Sequence, residues 1–166
     1  MRLVVLAAAA LAVALPGATT AATSKNRILS FATVTHDTVP WGLAGPARDA
    51  GAQIVNRVID APGQGTEVDF RKFFAVYVFV IRPTAGFDLT IRRIVLQRFG
   101  SYAQICARVT LRHPTGTVTQ EKSMSAHYVK IKRGRLGFDL PDHIVVRDPH
   151  DGVLVATPGS RKAACT

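Results

Sequence analysis

The stretch Phe73 to Ile81, FFAVYVFVI, has no polar group except the Tyr77 hydroxyl, so apolar groups project from both faces of whatever element it forms. It is rich in β-branched and aromatic residues and too short for a buried helix. It therefore reads as a strand covered on both sides. The rest of the chain must supply that cover, and its patterns are also those of strands. Phe87 to Phe99 opens with Phe87, Leu89 and Ile91 alternating against Asp88, Thr90 and Arg92. In Tyr102 to Arg112, Ile105, Ala107, Val109 and Leu111 oppose Gln104, Cys106, Arg108, Thr110 and Arg112. Ala126 to Lys132 sets His127, Val129 and Ile131 against Tyr128, Lys130 and Lys132.

Shorter segments read the same way: Arg27 to His36, Gln53 to Asp60, His143 to Arg147 and Val153 to Thr157. Ala47 to Ile59 is also compatible with a turn or two of helix. Gly and Pro punctuate the intervals, at Pro40-Trp41-Gly42, Pro62-Gly63, Pro83 to Gly86 and Pro149 to Gly152. Long amphipathic helix patterns are missing. Short strands with such turns predict an all-β chain, a single antiparallel β-sandwich or small barrel.

The first residues fall outside that pattern. Met1-Arg2 is followed by an apolar run from Leu3 to Leu15, then Pro16-Gly17 and the small residues Ala18, Ala21 and Ala22. This is the layout of a secretory signal peptide over residues 1–22, leaving one β-rich domain over 23–166. The run is shorter than the roughly 20 residues of an ordinary membrane span. A secreted or periplasmic protein with no stable membrane insertion after cleavage is expected. An oxidising compartment favours pairing the two cysteines, Cys106 and Cys165. Free thiols, or an intermolecular bridge through Cys165, are the alternatives. Cys106 falls on the wetter face of its strand, so a bond to Cys165 would pin the tail outside the core.

The chain carries a formal charge of +10. Such an excess favours acidic partners without choosing among them. For an exported chain, nucleic acid is the least favoured. The densest basic cluster is KIKRGR, with Lys130, Lys132, Arg133 and Arg135, and it reads as a basic hairpin whose charges either simply face water or serve an anionic glycan or surface. Tyr128 is the one aromatic nearby that would support base stacking.

Catalytic equipment is sparse. The histidines His36, His113, His127, His143 and His150 are scattered, and neither they nor the cysteines show metal-ligand spacing. No nucleophile elbow or phosphate loop appears. Glu67 and Asp69 are close enough to share acid–base work but stand where a solvated strand start is expected. Arg147 to Gly152, RDPHDG, offers Asp148, His150 and Asp151 to a cation, yet Asp-Pro and Asp-Gly are ordinary turn chemistry. No catalytic residue, metal or cofactor is assigned, and a non-enzyme is expected.

Val68-Asp69-Phe70, the strand after it, and Arg82-Pro83-Thr84-Ala85-Gly86-Phe87 together have the pattern Val-Asp-Phe, apolar strand, Arg-Pro-Thr-x-Gly-aromatic. Thr119-Gln120 and Ser125 to Tyr128 follow, leading into Val129-Lys130-Ile131. This block, residues 66–133, resembles the PrcB-like C-terminal domain, a family named for a subunit that stabilises a bacterial surface protease. Ala85 departs from the usual glycine, Phe87 from tyrosine and Ala126 from proline. The loop Pro83 to Phe87 is also similar, more weakly, to a protease-binding loop of chagasin-type inhibitors, which are immunoglobulin-like sandwiches. The resemblance implies an exported, non-enzymatic domain that contacts another protein, such as an exported protease, through Arg82, Pro83, Thr84, Ala85, Gly86 and Phe87. The alternative is an extracellular polyanion binder using the basic cluster.

Overall fold

In a computed structural model of the chain, the described residues are 25–40, 49–57, 68–136 and 140–165. The predicted signal peptide and Glu67 lie outside them. Nine strands form among the described residues: β1 Lys25–Leu29, β2 Phe31–Pro40, β3 Ala50–Val55, β4 Phe73–Arg82, β5 Asp88–Phe99, β6 Tyr102–Arg112, β7 Ser123–Lys132, β8 His143–Arg147 and β9 Val153–Ala156. They make a five-stranded sheet, ordered β1-β5-β6-β8-β9, and a four-stranded sheet, ordered β2-β7-β4-β3.

The sheets pack face to face as a β-sandwich. β4 contributes Phe74, Val76, Val78 and Val80 to the shared core, and β7 contributes Val129 and Ile131. From the other sheet come Leu89, Ile91, Ile94 and Leu96 of β5, Ile105, Ala107 and Val109 of β6, and Ile144 and Val146 of β8. Apart from Ala107, each such side chain stabilises the fold by roughly 1.5–3 kcal/mol when fully buried. The opposite face of β4 is covered as its composition requires. Val55, Val68, Ala75 and Tyr128 are buried there, with Val34, Phe70, Phe73 and Tyr77 against them.

Several boundaries differ from the sequence reading. Arg27 to His36 is two strands in different sheets, since β1 pairs with β5 and β2 with β7. The chain changes sheet at Ser30, which keeps the flanking Leu29 and Phe31 both against the core. One pair is parallel, β6 with β8, because β7 lies between them in sequence but belongs to the other sheet. All the other pairs are antiparallel. The basic cluster does not form a hairpin: Gly134–Leu136 is a 3-10 turn, and the next strand, β8, is in the opposite sheet.

Cys106 and Cys165 are bonded, with their Cα atoms 5.6 Å apart. The bond lies outside the main core, but its surroundings are not wet. Cys106 is 6% and Cys165 3% exposed, packed with Val145 against Val95 and Ala156. The C-terminal segment itself provides the cover. It crosses the outer face of the five-stranded sheet, where Gln97 Nε2 donates to Ala164 O (2.6 Å) and Gln104 Nε2 to Arg161 O (3.1 Å). Arg161 N–H donates back to Gln104 Oε1 (2.9 Å), and its guanidinium lies over the Phe99 and Tyr102 rings. A disulfide is compatible with an extracellular or periplasmic setting. No helix of the described residues is long and apolar enough to cross a membrane.

Candidate functional site

The segment Arg82 to Phe87 leaves the four-stranded sheet at the end of β4 and enters the five-stranded sheet at β5. It must turn sharply and cross the end of the sandwich, and four contacts hold it there. Ala85 N–H donates to Thr119 O (3.2 Å), and Ser123 Oγ donates to Thr84 O (3.1 Å). The Phe87 ring meets the His113 ring edge to face, with centroids 5.0 Å apart. Gly86 has φ +85° and lies so close to Pro114 that a Cβ would sit 2.8 Å from that ring's Cβ. Both the left-handed torsion and the close approach call for glycine.

Pro83 and Gly86 remain exposed, as do His113, Thr115, Gly116, Thr117, Thr119 and Gln120 of the crossover between β6 and β7. Thr84, Ala85 and Phe87 are half-buried beneath them. The result is a two-segment platform, largely uncharged on a strongly basic protein. Charge depletion of this kind marks the centres of protein–protein interfaces. The sequence reading identified the first segment and missed the second. His113, Pro114 and Thr119 carry only a turn signal on their own and acquire significance when the fold places them against the loop.

The basic cluster does not act as one patch. Lys132 and Phe73 are register partners, as are Ser123 and Arg82, so Lys132 lies at the far end of the strand from the loop. At about 3.3 Å per residue, that is roughly 30 Å away. Lys132 is exposed, and Lys130 lies over the Phe73 ring, 5.7 Å from its centroid. Arg133 is turned inward and only 7% exposed. Its Nε donates to Phe70 O (2.9 Å) and Phe73 O (3.0 Å), and Nη2 donates to Asn56 O (3.3 Å). It serves as a clamp on backbone carbonyls, which removes it from any solvent-facing patch. The Arg135 side chain lies outside the described residues. Tyr128 is buried and is not open to a stacking base.

His127, 3% exposed, faces the gap where β7 meets β5. Its Nδ1 accepts from Ile91 N–H (2.8 Å), so the neutral ring carries its proton on Nε2 and donates to Thr33 Oγ1 (2.9 Å). Beside it Ser125 Oγ accepts from Leu89 N–H (2.8 Å), and His36 Nε2 donates to Leu89 O (2.7 Å). His36 Nε2 is also 2.7 Å from Asp88 Oδ1. β1 pairs only with Ile94 to Arg98, so these side chains satisfy backbone groups on the part of β5 that β1 leaves uncovered. Burial, with His36 adding to it, pushes the His127 imidazole down to about 4. Both nitrogens are engaged, Nδ1 across to β5 of the other sheet and Nε2 to β2 within its own, so neither is aimed at a substrate.

Asp69 Oδ1 accepts from Arg71 N–H (3.1 Å) in the turn before β4. Asp148 Oδ1 accepts from His150 N–H and Gly152 N–H (2.8 Å each), which is turn chemistry. A cleft of about 220 Å³ lies beside β3, lined in part by Gln53, Asn56, Leu140, Asp142 and Thr157. It is smaller than the roughly 300–1,000 Å³ of ordinary small-molecule sites. No protein family, curated protein or solved structure matches the chain.

Proposed function

We propose that this chain works as an exported, non-enzymatic protein-interaction module, an accessory, stabiliser or modulator of a protease or other envelope protein. Its contact surface is the platform made by residues 82–87 and 113–120. The observation that carries this reading is the bracing of the loop: two hydrogen bonds, a ring contact and a glycine packed on Pro114 hold it in one conformation. A loop held in place before binding loses less conformational entropy when a partner arrives. Loops on a rigid β scaffold are a common way to present such a surface.

The test is a capture experiment with an exported protease supplied as the candidate partner. The wild type is compared with Pro83→Glu/Thr115→Glu, which places charges on exposed tips without touching the bracing contacts. Binding by the wild type and at least a tenfold loss in the variant, with unchanged melting, supports the proposal. Equal binding by both proteins moves the contact elsewhere.

A further inference from the structure

Three arginines stand in one row on the five-stranded sheet. Arg93 of β5 is the register partner of Arg108 of β6, and Arg108 is the register partner of Arg147 of β8. Register partners share a face. In β6 and β8, Ala107, Val109 and Val146 belong to the core, so the alternate positions Arg108 and Arg147 point outward. Neighbouring strands are about 4.8 Å apart, which places the three Cα atoms within roughly 10 Å. Arg92 reaches the same face, donating from Nε to Thr110 Oγ1 (3.1 Å). Like charges directly opposite one another destabilise a sheet, so an anionic counterpart would relieve such a row.

The protein supplies only part of it. Arg108 Nη2 meets Asp151 Oδ1 at 2.7 Å. Arg147 donates to the backbone carbonyls of Asp151 and Lys162, and its Nε is buried without a hydrogen-bond partner among the described residues. Arg93 is exposed, and no acidic side chain of the described residues pairs with it. Asp151 has φ +63°, a left-handed conformation that Asp tolerates in turns, and the turn presents its carboxylate to the row. Gripping the turn accounts for Arg108 and Arg147 in part, but it leaves Arg93 without a role.

We propose that Arg93, Arg108 and Arg147 form a binding site for a phosphate- or sulfate-type oxyanion, with the Asp151 carboxylate as an internal placeholder that the ligand displaces from Arg108. Guanidinium forks match pairs of oxygens on such groups better than ammonium does. This site is independent of the loop platform. The group is either a free ion or one borne on a polymer.

Calorimetric titration of the full chain tests this, with sodium pyrophosphate in one arm and dextran sulfate in the other, at fixed ionic strength with chloride as background. Binding in at least one arm is expected, weakened tenfold or more in Arg93→Gln/Arg108→Gln. Binding of pyrophosphate identifies the free ion, and binding of dextran sulfate alone identifies a polymer-borne group. Arg71→Gln/Lys72→Gln removes the same charge elsewhere and is expected to change affinity less than twofold. Arg93→Gln alone, at an exposed position, is expected to weaken binding at least threefold with an unchanged melting temperature. Asp151→Asn is expected to tighten binding severalfold. No binding in either arm, equal losses in the two double variants, or no effect of Arg93→Gln would overturn the site. Failure of Asp151→Asn to tighten binding would overturn the placeholder.

Discussion

Arg133 shows how little a residue's neighbours in sequence say about its work. In KIKRGR it is one basic residue among several, yet the fold aims it at the carbonyls of Asn56, Phe70 and Phe73. Those acceptors converge only when the end of β3 and the turn before β4 both meet the end of β7, so no local pattern announces them. Arg133→Met should cost about 1–3 kcal/mol in urea unfolding, because it leaves partly buried carbonyls without donors. Lys132→Met, at an exposed position, should stay within about 0.5 kcal/mol. His127 gives a second expectation. Its folded-state value, near 4, is below the ordinary 6.5, so the unfolded chain binds the proton more tightly. Its contribution is fully present above pH 6.5 and is lost as pH falls from there towards 4. At about 1.4 kcal/mol per unit, the loss approaches 3 kcal/mol. His127→Gln should flatten that part of the stability–pH curve measured by denaturant unfolding.

At the scale of elements, much was legible. Alternation located β6 and β8 with their observed ends, and the apolar run Phe73 to Ile81 is β4 but for one residue. The pattern fails where one strand passes between sheets. At Ser30 the alternation continues unbroken through the change, because Leu29 and Phe31 face the same core from opposite layers. The loop after β4 was visible from Pro83 and Gly86, but its bracing partners His113, Pro114 and Thr119 depend on the β6–β7 crossover. Gly86→Ala should lower stability by about 1–3 kcal/mol, since it combines a disfavoured torsion with a contact on Pro114. Faster amide exchange at Ala85 should accompany that loss. The C-terminal strap is also testable as an element. The disulfide closes a span of 59 residues, and the chain-entropy estimate for such a loop is about 4 kcal/mol. Cys106→Ser/Cys165→Ser should lose up to that amount in urea unfolding and open the tail to proteolysis after Arg161.

For the whole molecule, an all-β sandwich follows from composition and periodicity, whereas strand order does not. Two sheets can be wound from these segments in many ways, and the parallel β6–β8 pair has no signature in either strand. Surface chemistry depends on that order. The arginine row exists only because Arg93, Arg108 and Arg147 fall in register across three strands that are far apart in sequence. KIKRGR, conspicuous in the sequence, is divided by the fold into an inward clamp and outward lysines. The loop platform and those lysines occupy opposite ends of β4, so a partner on one leaves the other free.

The reading of the platform as the contact surface is tested most directly by site-specific photo-crosslinking in native extracellular material. The crosslinker is placed in turn at Pro83, Thr115 and, at the far end of the sandwich, Lys132. The expected result is one discrete protein adduct shared by Pro83 and Thr115, suppressed by excess unlabelled protein and absent at Lys132. Adducts equally weak and diffuse at all three positions, or a discrete adduct at Lys132 alone, would contradict it.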